Sequence, residues 1–170
     1  MKLGLMGLLL LLLCGCAGVP KGIEPVTGFD LPRYLGTWYE IVRLDHSFER
    51  GLSHVSAEYS MRPDGGVRVL NKGRDATDWK TAEGRAYFVG DAGTGHLKVS
   101  FFGPFYGAYI IFDLDKENYQ TAYVCGPNRK YLWLLSRTPV LPQDEIDRFI
   151  RQSFALGFDT DALIFPDQKR

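Results

Sequence analysis

Residues 34–45, with the sequence YLGTWYEIVRLD, decide the fold. From Gly36 onward the run is rich in aromatic and β-branched residues, which is typical of a β-strand. Side chains along a strand point alternately to its two faces. One face of this strand is therefore expected to carry Trp38, Glu40, Val42 and Leu44. The run predicts a first strand over residues 36–45 that has a tryptophan close to its start.

The composition favours one globular domain that is rich in sheet. Of the 170 residues, 45% are hydrophobic, 14% are aromatic and 24% are charged, and the formal net charge is zero. A chain of this length can bury a core, and its aromatic residues favour strands over helices. Because the chain is neutral, its charge gives no reason to expect nucleic acid as a partner.

The first 15 residues have the features of a signal peptide. Lys2 precedes an apolar run over residues 3–13, which is too short to span a bilayer because that takes about 20 residues. The next residues, Leu13-Cys14-Gly15-Cys16, resemble the bacterial lipobox, in which a lipidated cysteine becomes the first mature residue. Cys16 fits because the small Gly15 precedes it. The alternative is an ordinary secretory signal that is cut nearby.

We therefore predict a signal peptide over residues 1–15, a lipid anchor at Cys16 and a tether over residues 16–28. Resemblance to lipoproteins implies the outer membrane, because Ala17 replaces the aspartate that favours retention in the inner membrane. Cys14 leaves with the signal and Cys16 carries lipid, so Cys125 is the thiol that remains. An intramolecular disulfide is then not expected.

Eight strand-like runs, separated by turn sequences, follow the tether. They cover residues 36–45, 53–61, 67–73, 81–90, 96–102, 109–114, 119–125 and 131–137. Eight short strands at this spacing predict a sandwich or an up-and-down barrel. We place the domain at residues 29–170.

Near the C terminus, the spacing of apolar residues changes from that of a strand to that of a helix. Apolar residues at near-helical spacing are Ile146, Phe149, Ile150, Phe154 and Leu156. Pro142 favours the start of a helix and Gly157 its end. The pattern predicts one amphipathic helix that packs on the outside of a sheet, with a further short strand over residues 161–165 as an option.

The motif Gly36-Thr37-Trp38 resembles the G-x-W signature of the lipocalins. Leu114-Asp115-Lys116 resembles the family's segment between the sixth and seventh strands but keeps only its aspartate, and Arg137 ends the eighth strand where the family carries an arginine. Residues 29–165 as a whole resemble the bacterial outer-membrane lipocalins, close relatives of apolipoprotein D. The resemblance implies an all-β fold, namely an eight-stranded antiparallel up-and-down β-barrel with one C-terminal α-helix packed outside.

The resemblance also implies how the barrel is closed at one end. Trp38 is expected to lie across that end with Arg137 stacked on its ring, a cation–π arrangement. Gly36 is expected to let the chain turn tightly into the first strand. These three residues are the predicted structural closure.

Small residues on the inner face predict that the barrel is not filled. With Ala57, Ala82 and Ala86 facing inward, the interior is expected to hold one small ligand; a filled core is the alternative. The predicted lining is Glu40, Ala57, Tyr59, Val69, Asn71, Phe88, Val99, Phe101, Tyr109, Ile111, Tyr131 and Trp133. The role of Glu40 stays open between pairing with Arg43 or another cation and contacting the polar end of a ligand.

The loops after the first, third, fifth and seventh strands are expected at the open mouth. Residues that we assign to the mouth, as contacts for a head group or as an aromatic rim, are Arg74, Trp79, Phe105, Arg129 and Lys130. A solvated surface and a tight turn are the respective alternatives for the charged and the aromatic residues.

The resemblance implies a periplasm-facing outer-membrane lipoprotein that stores or transports a fatty acid or a lysophospholipid and needs no cofactor. Whether the protein forms a homodimer is left open. A lipid-modifying enzyme on the same barrel is the alternative, with Cys125 and His46 as its candidates. Strand alternation places Cys125 outside the barrel or in the loop. His46, His54 and His96 lie on separate elements and lack the spacing of a metal site.

Overall fold

Eight antiparallel strands close into a barrel in the computed structural model, which describes residues 18–168. The predicted signal peptide and Cys16 lie outside the described residues. The elements are α1 (Leu31–Tyr34), β1 (Gly36–Leu44), β2 (Ser53–Met61), β3 (Val67–Arg74), β4 (Trp79–Phe88), β5 (His96–Phe102), β6 (Phe105–Leu114), β7 (Thr121–Cys125), β8 (Leu132–Ser136), α2 (Gln143–Ala155), a 3-10 helix (Thr160–Ala162) and β9 (Leu163–Ile164). The predicted barrel and C-terminal helix are confirmed, and a sandwich is excluded.

The strand bounds differ from the prediction mainly at the mouth. β6 begins at Phe105 instead of residue 109, because Phe102 pairs with Phe105 across a tight hairpin. β4 likewise begins at Trp79 instead of residue 81, opposite Arg74 of β3. Glycine and proline are typical of loops, so the sequence predicts a fifth loop that is longer than the one observed. In the structure, strand pairing continues almost to the tip of this loop.

β1 closes the barrel because it pairs on both of its edges. Its first residues pair with β2, and from Tyr39 onward it pairs with β8. The pairing of β1 with β2 ends at Tyr39, and beyond it the C-terminal segment, up to residue 168, lies between the two strands. There Gln168 Nε2 donates to the carbonyl oxygens of Glu40 (2.7 Å) and Val55 (2.8 Å).

A bulge in β1 corrects the predicted alternation. The register with β8 shifts between Glu40 and Val42, which leaves Ile41 as the extra residue. Trp38 and Glu40 therefore face the interior as predicted, but Val42 packs outside the barrel, and so does Leu44. The residue that replaces Val42 on the inner side is Arg43.

Two apolar clusters hold the fold together. The inner cluster fills the closed end around Trp38, whereas the outer cluster lies between the barrel wall and α2. In the outer cluster the fully buried Phe149 of α2 packs edge-on against Tyr123, with 4.9 Å between ring centroids. Cys125 belongs to this outer cluster, so its side chain points away from the barrel interior.

Residues 18–28, which the sequence predicts as a tether, lie along the outside of the barrel. Ile23 is buried in the outer cluster. The Val26 amide donates to the Ile111 carbonyl at 2.9 Å, and the Gly95 amide donates to the Val26 carbonyl at 2.8 Å. Within residues 18–168, we find no helix that is long and apolar enough to cross a membrane.

Candidate ligand-binding cavity

The barrel encloses an apolar cavity of about 710 Å³. Its wall is built from the inward faces of the strands, and its opening is formed by the loops at the mouth. Predicted residues that line it are Glu40, Ala57, Tyr59, Val69, Asn71, Val99, Phe101, Tyr109, Tyr131 and Trp133. Phe29 and Tyr34, which sequence reasoning did not include, also line it because α1 lies across the closed end.

The predicted lining needs correction at Phe88 and Ile111. Phe88 packs edge-on against Phe29, at 6.0 Å between centroids, in the inner cluster. Ile111 is fully buried beside the N-terminal segment that bonds to its backbone. Both side chains face inward, but they lie below the cavity, where the barrel is filled.

The closed end is built around Trp38. Its indole Nε1 donates to the Tyr34 carbonyl at 2.8 Å, and its ring is fully buried. The guanidinium carbon of Arg137 lies 4.0 Å from the ring centroid. Arg137 also donates to the carbonyl oxygens of Arg33 (2.8 Å) and Thr37 (2.9 Å), so one side chain joins α1, β1 and β8. Gly36 adopts φ = +95°, a conformation that other residues rarely take.

Three tyrosine hydroxyls form the floor of the cavity. Tyr109 lies 2.8 Å from the hydroxyl of Tyr34 and 2.8 Å from that of Tyr59. Burial raises the pKa of all three side chains, so each keeps its proton. Two hydrogen bonds use two of the three protons, which leaves one O–H that can donate to a polar atom of a ligand.

Glu40 belongs to a buried polar cluster on the cavity wall, which we call the acid–arginine cluster. Arg43 donates through Nη1 to Glu40 Oε1 at 2.6 Å and through Nη2 to the Glu49 carbonyl at 2.8 Å. Glu49 Oε2 accepts a bond from Trp133 Nε1 at 3.2 Å and lies 3.0 Å from His46 Nε2. Of the two roles left open for Glu40, pairing with Arg43 is observed.

The pKa values of the two carboxyls are shifted in opposite directions. Burial and the nearby Glu49 raise the pKa of Glu40 well above its usual range. Burial would also raise the pKa of Glu49, but contacts with His46, Glu40 and Trp133 outweigh it and the pKa is lowered. Of the two carboxyls, Glu40 therefore binds a proton more readily than Glu49, and when it is protonated it can donate a hydrogen bond into the cavity.

The predicted mouth residues are in different surroundings. Phe105 lines the cavity opening and is 70% exposed, whereas Trp79, 60% exposed, lies beside the opening. Arg74 and Lys130 are exposed at the mouth end outside the cavity lining. Arg129 lies at the mouth end but does not line the cavity, because its Nε donates to the Leu156 carbonyl and its Nη2 to the Lys21 carbonyl, both at 2.7 Å.

Within the acid–arginine cluster, Glu49 is the residue that sequence reasoning missed. Glu49 lies in a loop with exposed charged neighbours and looks like a solvated residue, yet it is only 9% exposed. Its partners come from β1 and from β8, which is distant in sequence. A signal that could have pointed to it is the presence of several ionisable residues within a few positions of an inward-facing Glu40.

An eight-stranded closed barrel with an apolar cavity that opens at one end defines a binder of small hydrophobic ligands. Residues 29–168 match the family model of the lipocalin-like domain. The outer membrane lipoprotein Blc of Vibrio cholerae serotype O1 is 58% identical over 160 residues, covering 93% of this chain and 94% of that one. The chain belongs to the lipocalin family.

Other similar proteins agree with this assignment. The outer membrane lipoprotein Blc of Escherichia coli K12 is 49% identical over 161 residues, covering 94% and 90% of the two chains. Apolipoprotein D of Rattus norvegicus is 36% identical over 125 residues, covering 69% and 66%. Insecticyanin of the tobacco hornworm Manduca sexta has the same fold, with a TM-score of 0.72, 23% identity, and coverage of 90% and 88%.

Family membership and these relatives confirm the coarser predictions. The chain is an outer-membrane lipoprotein of the bacterial lipocalin group, and it binds lipid in the cell envelope. The identity of that lipid is a separate matter, which depends on the shape and polarity of this cavity.

Proposed function

We propose that this lipocalin binds one single-chain lipid, a fatty acid or a lysophospholipid, and stores or carries it in the cell envelope. The observation that carries the proposal is the apolar cavity of about 710 Å³, open at the mouth. This volume lies in the range of roughly 300–1,000 Å³ that small-molecule pockets occupy. A chain of sixteen carbons would gain about 12 kcal/mol gross at about 0.8 kcal/mol per buried methylene. Much of this gain replaces burial in membrane, so binding stays reversible.

Polar groups in the cavity support a ligand with one polar end. We assign the contacts of the acyl chain to the apolar lining, including Ala57, Val69, Val99 and Phe101. We assign to Glu40, whose pKa is raised, a hydrogen bond donated from its protonated form to a ligand oxygen, and to Asn71 Oδ1, which is buried without a partner among residues 18–168, a bond accepted from a ligand hydroxyl. Arg74 and Lys130, exposed at the mouth end, are the cations available to a head group that projects from the opening.

Native mass spectrometry of a soluble chain that begins at Ala17 tests this proposal. The chain is delipidated and then offered palmitic acid and, separately, palmitoyl lysophosphatidylethanolamine. We expect one molecule of at least one of these lipids per chain, with a Kd of about micromolar order. If neither lipid binds at that concentration, the proposal is wrong.

A pair of alanine variants shows whether the lipid occupies the cavity. Ala57→Phe places a ring inside the cavity, whereas Ala92→Phe adds the same ring at an exposed turn. We expect Ala57→Phe to lower lipid affinity by about tenfold or more, because the ring fills space that the acyl chain needs. Ala92→Phe should bind as the unchanged chain does, and equal affinity of all three would place the lipid elsewhere.

The lipid anchor at Cys16 and the cleavage before it are also proposals. Both are supported by the Leu13-Cys14-Gly15-Cys16 sequence and by the names of the relatives. Mass spectrometry of the N-terminal peptide from membrane-extracted protein tests them, since it should carry diacylglycerol and an acyl group on Cys16. An unmodified peptide that begins elsewhere would support the secretory alternative. The homodimer stays a prediction that sedimentation equilibrium tests.

The enzyme alternative is weakened at Cys125. Its side chain is fully buried in the outer cluster, and burial raises the pKa of the thiol to about 12. A thiol that is protonated and points away from the cavity is unsuited to attack a ligand inside it. Turnover of a bound lipid that is lost in Cys125→Ala would contradict this reasoning.

A further inference from the structure

We infer that the open mouth of the barrel faces the bilayer in the anchored protein, so that lipid passes directly between membrane and cavity. The surface concerned, which we call the aromatic rim, consists of Phe48, Trp79, Phe102 and Phe105. The inference rests on the proposed anchor at Cys16 and deepens the proposed function.

The first observation is where the N-terminal segment is held. Arg129 lies in the loop between β7 and β8, at the mouth end, and binds the Lys21 carbonyl at 2.7 Å. The same guanidinium binds the Leu156 carbonyl next to the end of α2, at 2.7 Å, so its position is fixed from two sides. Lys21 is therefore held near the mouth, although the segment continues past Val26 to Phe29 at the closed end.

The short distance along the chain from Lys21 to Cys16 decides the orientation. Five residues span at most about 18 Å when fully extended. A nine-residue strand such as β2 is about 30 Å long, or roughly 23 Å along the axis of a barrel whose strands tilt by about 40°. With the closed end on the membrane, Lys21 would stand about 23 Å above the surface, which is beyond the reach of an anchor at Cys16.

The second observation is the composition of the rim. Phe102 is 78% exposed, Phe48 is 68% exposed, and the remaining two rim residues are exposed to a similar degree. Large aromatic side chains in water are unfavourable, but they are favourable at the interface between head groups and acyl chains. These side chains come from three mouth loops and so surround the opening.

The rim also continues into the cavity. Phe48, Phe102 and Phe105 contribute to the cavity lining as well as to the exposed surface. A lipid that leaves the bilayer at the rim would meet apolar side chains along its whole path. The arrangement therefore avoids exposing the acyl chain to water during transfer.

Single reporter cysteines test the orientation in the full-length lipidated protein. Phe102→Cys lies on the rim, and two exposed apolar residues at the closed end, Met61→Cys and Val140→Cys, are the controls. Selective labelling with a nitrobenzoxadiazole dye is feasible because the native Cys125 is buried and Cys16 carries lipid. The protein is reconstituted in vesicles of phosphatidylethanolamine and phosphatidylglycerol that contain doxyl-labelled phospholipid.

We expect doxyl lipid to quench the dye at position 102 at least about threefold more than at 61 or 140, because nitroxide quenching needs contact with the interface. Equal quenching at the three positions, or stronger quenching at 61 or 140, would overturn the inference. An unlipidated Cys16 would overturn it as well. Lipid binding by the soluble chain is measured separately, so failure here does not count against the proposed ligand.

Two variants test whether the short tether sets the orientation. Arg129→Ala releases Lys21, and Arg151→Ala, at an exposed cation of α2, is its control. Because Arg129→Ala could also destabilise α2, a second variant inserts a glycine–serine segment between Ala17 and Gly18 and leaves all barrel contacts in place. We expect both Arg129→Ala and the insertion to reduce the difference in quenching by about half or more, and Arg151→Ala to retain it. An undiminished difference in both variants would show that the tether does not orient the barrel.

Discussion

Arg137→Met is expected to destabilise the barrel at its closed end. The guanidinium makes hydrogen bonds to the carbonyls of Arg33, Thr37 and Tyr119 at 2.8, 2.9 and 3.2 Å, and it stacks on Trp38 at 4.0 Å. Bonds from a charged donor are worth about 1.5–3 kcal/mol each, and the stacking about 0.5–2 kcal/mol. Because the side chain is half-buried, we discount this sum and expect a loss of about 3 kcal/mol, or roughly 10 °C in Tm.

Urea unfolding of the soluble, delipidated chain, followed by tryptophan fluorescence, measures the loss. Arg137→Lys keeps the charge but lacks the planar group that bonds and stacks at once, so it should lose most of the same stability. Arg151→Met, at an exposed position of α2, is the control and should change stability little. A loss below about 0.5 kcal/mol in Arg137→Met would refute the closure argument. Lipid affinity, measured well below the Tm, should stay unchanged because the contacts lie below the cavity.

Three further substitutions test the buried polar groups. Glu40→Gln has an uncharged side chain at every pH. Because the folded-state pKa of Glu40 is raised, the unchanged chain loses stability as the pH rises above the ordinary carboxyl range. Urea midpoints should therefore increasingly favour the variant between about pH 5 and pH 8. Tyr109→Phe removes the centre of the tyrosine floor and should cost about 1–3 kcal/mol in the same assay, with a further loss of affinity if the ligand's polar atom reaches the floor. Cys125→Ser places a hydroxyl in the outer cluster and should lower stability by about 1–3 kcal/mol while lipid affinity, read by native mass spectrometry, stays the same.

The closed end was predicted from the family resemblance, which a short local motif was enough to carry. Gly36 and Trp38 lie two residues apart in one strand, and their roles depend on the backbone conformation of that strand and on its inward face. Strand alternation left Cys125 either outside the barrel or in the loop, and the structure places it outside. Such inferences succeed because they need only the period of the strand and one turn.

The mouth could not be predicted in the same way. Whether Arg129 faces a ligand or a carbonyl depends on where α2 ends and where Lys21 passes, and both are far from residue 129 in the sequence. Glu49 is similar, since its burial depends on β1 and β8 closing over its loop. A charged loop residue gives the same local signal whether it faces a ligand or bonds to a distant carbonyl. The sequence alone therefore could not exclude the head-group role for Arg129.

The bulge in β1 explains why a carboxyl is tolerated in an apolar cavity. Without the bulge at Ile41, strict alternation would put Val42 inside and turn Arg43 out to the helix side. Glu40 and Glu49 would then share a buried site without a cation, which costs several kcal/mol. The bulge instead brings the Arg43 guanidinium to both residues, where it donates to the Glu40 carboxyl and to the Glu49 backbone carbonyl. A local irregularity of the strand therefore supplies the polar group that we assign to ligand recognition.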